Sequence, residues 1–359
     1  MNQLSRDTKL PEGQAEDIRR FKRRYWTQAG IGKEYQYVAY QADPITRSKN
    51  VIEIRLVLAN ILGPHVLDAG AGTGRFAWPL ERAGHKVVSL DISREMLEQG
   101  TALARKRSLT FRAVRGDIER LPFEDGVFDS VVSITVLRHF PNWREILREY
   151  GRVVRPGGRI LFDMGSGEQR AYLEKAGALT DANTNGPIDP LSFDIGVTRR
   201  ELVECAKDLG LRLRNDSPYD FFNSNPLVER MCGIPKEELK VRLIGILNKT
   251  GAVHLYELIT RRFLSVLSPV LCPSRFIVLE NRPTSIERDE FPANCETPSL
   301  ESREWLDLVL RQVSGADFDE VCAEVDLLRN DPEAEALYRF CETELFPKIP
   351  VEAFTWRTD

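Results

Sequence analysis

Three aspartates and one glycine-rich turn are the residues of this chain whose types and spacing could do chemistry. Asp68-Ala69-Gly70-Ala71-Gly72-Thr73-Gly74-Arg75-Phe76 places glycines at alternate positions, where a backbone free of Cβ atoms bends sharply and lets a ligand approach. A dinucleotide fingerprint sets its third glycine one residue later, and that position holds Arg75, so the spacing disfavours nicotinamide and flavin dinucleotides. Asp91 ends a second apolar run, where a carboxylate can accept both hydroxyls of a ribose. Asp117 lies between Gly116 and Ile118, shortly before Leu121-Pro122-Phe123. A carboxylate there can accept from an adenine amino group while apolar neighbours sandwich the ring. Asp68, just ahead of the glycines, can pair with a ligand ammonium directly or through water. Any one of these aspartates alone reads as a cap or turn residue. Three at the ends of three consecutive strands, around one glycine loop, are hard to explain that way.

The elements that must position them are legible as alternation. Residues 65–69 (HVLDA), 86–91 (KVVSLD), 109–114 (LTFRAV), 128–134 (FDSVVSI) and 159–164 (RILFDM) are short apolar runs rich in Val, Ile and Leu, as expected for strands buried on both faces. Helical patterns separate most of them. Ser93 can cap a helix over 94–105, and Asn142 one over 143–154, whose Ile146, Leu147, Tyr150, Val153 and Val154 make one apolar stripe before Pro156-Gly157-Gly158. Such alternation builds a parallel sheet with helices on both faces, and ligands sit at the carboxyl ends of its strands where the order reverses.

The bulk properties set bounds. A chain of 359 residues with 42% hydrophobic and 29% charged residues accommodates one large α/β domain with an appendage, or two ordinary domains. The net charge of −4 is uneven: residues 284–359 carry 19 acidic and 7 basic residues, leaving about +8 for the rest. The acidic tail reads as a solvated helical appendage, and the Arg19 to Arg24 run as a solvated face of an amphipathic helix. The six cysteines show no two-residue spacing of the kind a zinc site or redox motif needs. The polar first residues and the short apolar run 263–272 suggest neither a secretory leader nor a membrane span, so the expected location is cytoplasmic.

VLDAGAGTGRF (66–76), VVSLDIS (87–93), GDIERLPFEDGVFDSVVS (116–133) and LREYGRVVRPGGRILF (147–162) resemble the class I S-adenosylmethionine-dependent methyltransferases, of the small-molecule, type 11 kind. The resemblance covers about a hundred contiguous residues. It implies an α/β, Rossmann-like seven-stranded sheet with a reversed last strand, and S-adenosyl-L-methionine as cofactor. Gly70, Gly72 and Gly74, with Ala71, would line its methionine part, Asp91 the ribose, and Asp117 with Ile118 the adenine. Asp68, Ile92, Met96 and Ser133 complete the implied cofactor set. Relatives often carry a cysteine where Ala71 stands, and a second histidine where Arg138 precedes His139.

Transfer from a sulfonium is an in-line displacement, so the protein must chiefly hold the acceptor and exclude water. Of the four histidines, His139 alone follows a strand at its carboxyl end. It is the candidate base or acceptor-positioning group, with a backbone-bonded helix-end histidine as the competing reading. No metal is expected. The expected organisation is an N-terminal helical lid (1–50), a core (51–216 and 276–282), a helical insertion (217–275) and the acidic helical appendage (283–359). Lid or substrate contacts fall on Tyr25, Trp26, Tyr37, Tyr40, Arg47 and Arg138. The insertion covers the acceptor pocket or makes a homodimer. The expected acceptor is an oxygen or nitrogen of a small-molecule or saccharide-type metabolite, with nucleic acid disfavoured. The rivals are an RNA or protein methyltransferase and a catalytically inactive binding module.

Overall fold

A computed structural model describes residues 12–31, 44–106, 108–175, 194–219 and 272–282. Helices α1 (Glu12–Trp26) and α2 (Pro44–Asn60) precede β1 (His65–Ala69), α3 (Ala77–Arg82), β2 (Lys86–Asp91), α4 (Arg94–Lys106), β3 (Arg112–Arg115) and β4 (Phe128–Ser133). A 3₁₀ turn (Leu137–His139) then leads to α5 (Trp143–Val153), β5 (Val154–Ser166), α6 (Gly167–Lys175), β6 (Gly196–Val197), α7 (Arg199–Asp208), β7 (Leu211–Tyr219) and β8 (Ser274–Asn281).

The strands form one sheet in the order β3-β2-β1-β4-β5-β8-β7, with the two-residue β6 added beside β5. β1 to β5 are parallel, and β8 runs antiparallel to both β5 and β7. The expected seven strands and reversed last strand are therefore present, and β6 is the addition. The order reverses between β1 and β4, which opens a crevice at their carboxyl ends. Among the described residues no helix is long and apolar enough to cross a membrane.

Burial explains the strand composition. Every residue of β4 is buried, and so is most of β5, which is why these runs lack polar alternation. The α5 stripe of Ile146, Leu147, Tyr150 and Val153 packs on them without exposure, each aliphatic side chain contributing about 1.5–3 kcal/mol.

Several boundaries differ from the expectation. α5 stops at Val153, and Val154 already pairs with Phe128, so Pro156-Gly157-Gly158 lies within β5. A Cβ on Gly158 would stand 2.5 Å from the Asp129 carbonyl oxygen, so glycine lets the chain cross close to β4. Asn142 occupies the N-cap position of α5 without a side-chain cap bond, whereas Thr198 caps α7 in a reciprocal capping box with Glu201. β3 begins at Arg112, three residues later than expected. Leu109 instead closes α4 through its N–H to the Ala104 carbonyl, and the Phe111 ring packs at the glycine loop. β7 runs to Tyr219, past the expected core boundary at Asp216. It lies at the end of the strand order, where Pro218 lacks an N–H at little cost.

Candidate cofactor and acceptor site

The glycine loop leaves β1 and is stitched to β2 by backbone bonds, Gly70 and Ala71 N–H both donating to the Leu90 carbonyl at 2.8 and 3.0 Å. Gly70, Gly72 and Gly74 all have positive φ (81°, 55° and 94°). At Gly70 space is also short, since a Cβ there would lie 2.6 Å from Cγ2 of Val136. The Val136 side chain, from the loop after β4, thus lies against the glycine loop.

Asp91, the last residue of β2, accepts the Gly72 N–H on Oδ2 and the Ser93 N–H on Oδ1, each at 2.8 Å. The loop and this carboxylate therefore share one rim. Burial raises the Asp91 pKa, opposed by these backbone N–H groups. The Asp91 carbonyl accepts the Gly116 N–H, which ties the Asp117 turn to the same rim. Asp117 Oδ1 accepts the Glu119 N–H at 2.9 Å, and Oδ2 pairs with Arg23 of α1 at 2.8 Å. Ile118 and Leu121 are buried behind it.

Asp68 lies in β1, beside Val132 of β4. It is 2% exposed. The nearby Ala77 N–H favours its charged form, yet its Oδ2 has no hydrogen-bond partner. Burial pushes its pKa up to about 7, with Arg75 opposing and the Asp91 charge reinforcing the rise. A buried carboxylate oxygen without a donor is costly unless a cationic or N–H ligand completes it.

The other expected contacts are spread differently. Ile92 is half-buried beside Asp91, and Met96 is buried in the first turn of α4. Ser133 is fully buried and engaged beneath the site, donating to the Ala69 carbonyl at 2.9 Å and lying 2.9 Å from the Tyr150 hydroxyl. Tyr25 and Trp26 end α1 in an edge-to-face contact of 5.0 Å. Helix α1 is held over the Asp117 turn by Arg19 to Glu119 and Arg23 to Asp117 and Glu119, with Ile18 in the core. Tyr37, Tyr40 and the side chain of Arg47 lie outside the described residues, as does His254. His139 is half-buried in the 3₁₀ turn, its N–H donating to the Val136 carbonyl at 3.0 Å. His65 and His85 sit at the amino ends of β1 and β2, away from this rim.

Arg138 does not face an open site. Its Nε lies 2.8 Å from both Asp194 oxygens, and its Nη1 is 3.2 Å from Asp163 Oδ2 and from Ser274 Oγ. Asp163 in turn accepts from the Tyr219 hydroxyl, which also reaches Glu53, and Glu53 pairs with Arg75. Sequence reading missed Glu53, Asp163 and Tyr219. The signal was available for the first two: a carboxylate inside VIEIRLVL or RILFDM must be paired once those runs are buried.

Gly100 was also missed. In mid-α4 it carries no obvious demand, but a Cβ there would stand 2.7 Å from the Phe111 ring and 2.9 Å from the Thr73 carbonyl oxygen. Gly100→Ala is expected to push α4 off the glycine loop and cost about 1–3 kcal/mol, read as a lower urea midpoint with an unchanged slope.

Among the described residues no group of three His, Cys, Asp or Glu side chains is arranged to hold a metal ion. Cys205 is a buried free thiol, and Cys272 is also buried.

Residues 67–162 match the family described as "Methyltransferase domain". The malonyl-[acyl-carrier protein] O-methyltransferase of Erwinia pyrifoliae is 41% identical over 97 residues, 27% of this chain and 36% of that protein. The demethylmenaquinone methyltransferase of Tropheryma whipplei is 38% identical over 104 residues, 28% of this chain and 41% of that one. The chain thus spans about two fifths of the length of the curated relatives it matches. The magnesium protoporphyrin IX methyltransferase of Synechocystis superposes with a TM-score of 0.48 at 16% identity, covering 74% of this chain and 100% of that one. With its glycine loop and its carboxylates at successive strand ends, the 67–162 segment, which matches the methyltransferase-domain family, resembles the class I S-adenosylmethionine-dependent methyltransferases.

Proposed function

We propose that this protein transfers the methyl group of S-adenosylmethionine to an oxygen or nitrogen of a small-molecule or saccharide-type metabolite. The observation that carries the reading is the buried, partnerless Oδ2 of Asp68, set beside a glycine loop that Asp91 holds in place. Those residues fit the cofactor. Asp68 would take its ammonium, Asp91 its ribose, and Asp117 with Ile118 its adenine. When bound, the cofactor supplies an electrophilic methyl on a sulfonium that departs as a neutral thioether.

The chain's own contribution is positional and electrostatic. The loop after β4 would present the acceptor, with His139 as its base or positioning group, and the half-buried aromatics at the end of α1 would keep water out. The named relatives above act on malonyl-[acyl-carrier protein] and demethylmenaquinone, which supports a metabolite-class acceptor. Arg19 and Arg23 are paired with Glu119 and Asp117.

Tyr219 and Ser274 pair at the end of β7, and Ser274 pairs with Gly165 at the carboxyl end of β5. Residues 220–271, most of the expected 217–275 insertion, lie outside the described residues; a role for them at the acceptor pocket or in a homodimer stays a proposal.

The test supplies S-adenosylmethionine labelled in its methyl group, together with a metabolite fraction, a total RNA fraction and a protein fraction from one cell extract. Label entering the metabolite fraction is the expected result. Label confined to RNA or protein would replace this reading with the macromolecular one, and no label in any fraction would favour a binding module.

A further inference from the structure

Thr135 is one of two non-glycine residues with positive φ among those described, at 62°. For a β-branched residue this is a strained backbone, which persists only where its surroundings impose it. Among those surroundings is one buried side chain. Asp163, fully buried in β5, accepts the Thr135 N–H on Oδ1. Its other oxygen lies 3.2 Å from Arg138 Nη1 and 3.2 Å from the Tyr219 hydroxyl.

Both ends of one short loop therefore converge on this carboxylate, Thr135 at its start and Arg138 within its 3₁₀ turn. Between them stands Val136, whose methyl group leaves no room for a Cβ on Gly70. β4 pairs with β1 so that Val132 lies beside Asp68. The loop after β4 consequently borders the Asp68–Gly70 end of the rim, whereas Asp117 lies beyond β2, after β3.

We propose that Asp163 is a positioning residue that holds Thr135 in its left-handed conformation and thereby fixes the loop walling the Asp68–Gly70 end of the site. It touches neither cofactor nor acceptor in this role. A carboxylate is suited to it because it can accept a backbone N–H on one oxygen while balancing the Arg138 charge on the other. The proposal rests on the adenosyl-binding reading, in which that end receives the amino-acid part of the ligand.

The test uses two probes that share the adenosine but differ at that end, S-adenosylhomocysteine and 5′-methylthioadenosine, titrated calorimetrically into the full-length protein. Asp163→Ala should weaken S-adenosylhomocysteine about tenfold or more, the scale of one lost charge-assisted bond, and leave methylthioadenosine within about threefold. Thr135→Gly in the Asp163→Ala background should restore S-adenosylhomocysteine binding to within about threefold, because glycine takes positive φ unaided. Asp163→Asn, which keeps an acceptor for the Thr135 N–H, should retain most of the affinity.

Equal weakening of both probes by Asp163→Ala, unchanged binding of both, or a folded double variant that fails to recover would each overturn the proposal. Should Asp163→Ala not fold, the double variant and Asp163→Asn decide on the same criteria. If the wild type binds neither probe, the adenosyl reading fails instead. The thermal-unfolding cycle then still decides the link between the two residues. Thr135→Gly must shrink the Tm loss caused by replacing Asp163 with Ser, and an unchanged loss would defeat it.

Discussion

Asp91→Ala protein should bind S-adenosylhomocysteine at least about a hundredfold more weakly than wild type, from the loss of charge-assisted hydrogen bonds worth about 1.5–3 kcal/mol each. Two effects add. The substitution removes the acceptor expected for the ribose hydroxyls, and it frees the Gly72 and Ser93 N–H groups that the carboxylate now holds at 2.8 Å. The first effect weakens the ligand directly, and the second lets the glycine loop move away from it. Asp91→Asn separates them, since its amide keeps one acceptor oxygen for a backbone N–H and loses the charge. Its affinity should fall between the two. Calorimetry on all three proteins is the measurement, and an Asp91→Ala protein that binds within threefold of wild type would remove Asp91 from the site.

Asp68→Asn should split stability from binding. The Asp68 pKa is raised from 3.8 to about 7 by burial, so the native state holds a proton that the unfolded state has released throughout that interval. Stability of the ligand-free protein therefore falls as pH rises from about 4 to about 7 and stays low above it. The full cost at pH 8 is about 4 kcal/mol as an upper bound. An uncharged asparagine removes this slope. The substituted protein should melt several degrees higher at pH 8, with the advantage fading toward pH 4, at roughly 2–4 °C per kcal/mol for a cooperative unit of about 150–250 residues.

Binding should move the other way. An ammonium ligand favours the ionised carboxylate, so wild-type affinity for S-adenosylhomocysteine should weaken as pH drops through about 7. Asp68→Asn should weaken binding about tenfold or more at pH 8 and flatten that dependence. A Tm unchanged at pH 8, together with wild-type affinity, would show that the lone Oδ2 serves no ligand. A higher Tm at pH 8 with weakened binding would instead mark a destabilising carboxylate kept for its ligand, the usual trade of stability for function.

The core of the fold was readable because its signals are local. A run such as FDSVVS or KVVSLD has no polar alternation only if both faces are covered, and alternation of such runs with helices permits few topologies. The glycine loop and the three strand-end aspartates were readable for the same reason, each fixed by its own strand–turn context. Misplaced boundaries fell where tertiary contacts override local preference. Leu109 and Phe111 look like strand residues but close α4 and pack on the glycine loop. Asp216-Ser217-Pro218 looks like a turn but extends an edge strand.

Arg138 shows the limit most clearly. Its neighbours in sequence, Leu137 and His139, say only that it follows a strand and could face a substrate. The partners that neutralise it, Asp163 and Asp194, come from 25 and 56 residues away, and no periodicity encodes such a meeting. Glu53, Arg75 and Tyr219 join the same way, from α2, the glycine loop and the end of β7. By itself the sequence determined the sheet, the loop and the carboxylates at its rim, since backbone sterics and burial act over a few residues. Only the tertiary structure decided which charges are spent on each other, because a buried ion pair depends on where distant segments of the chain come together.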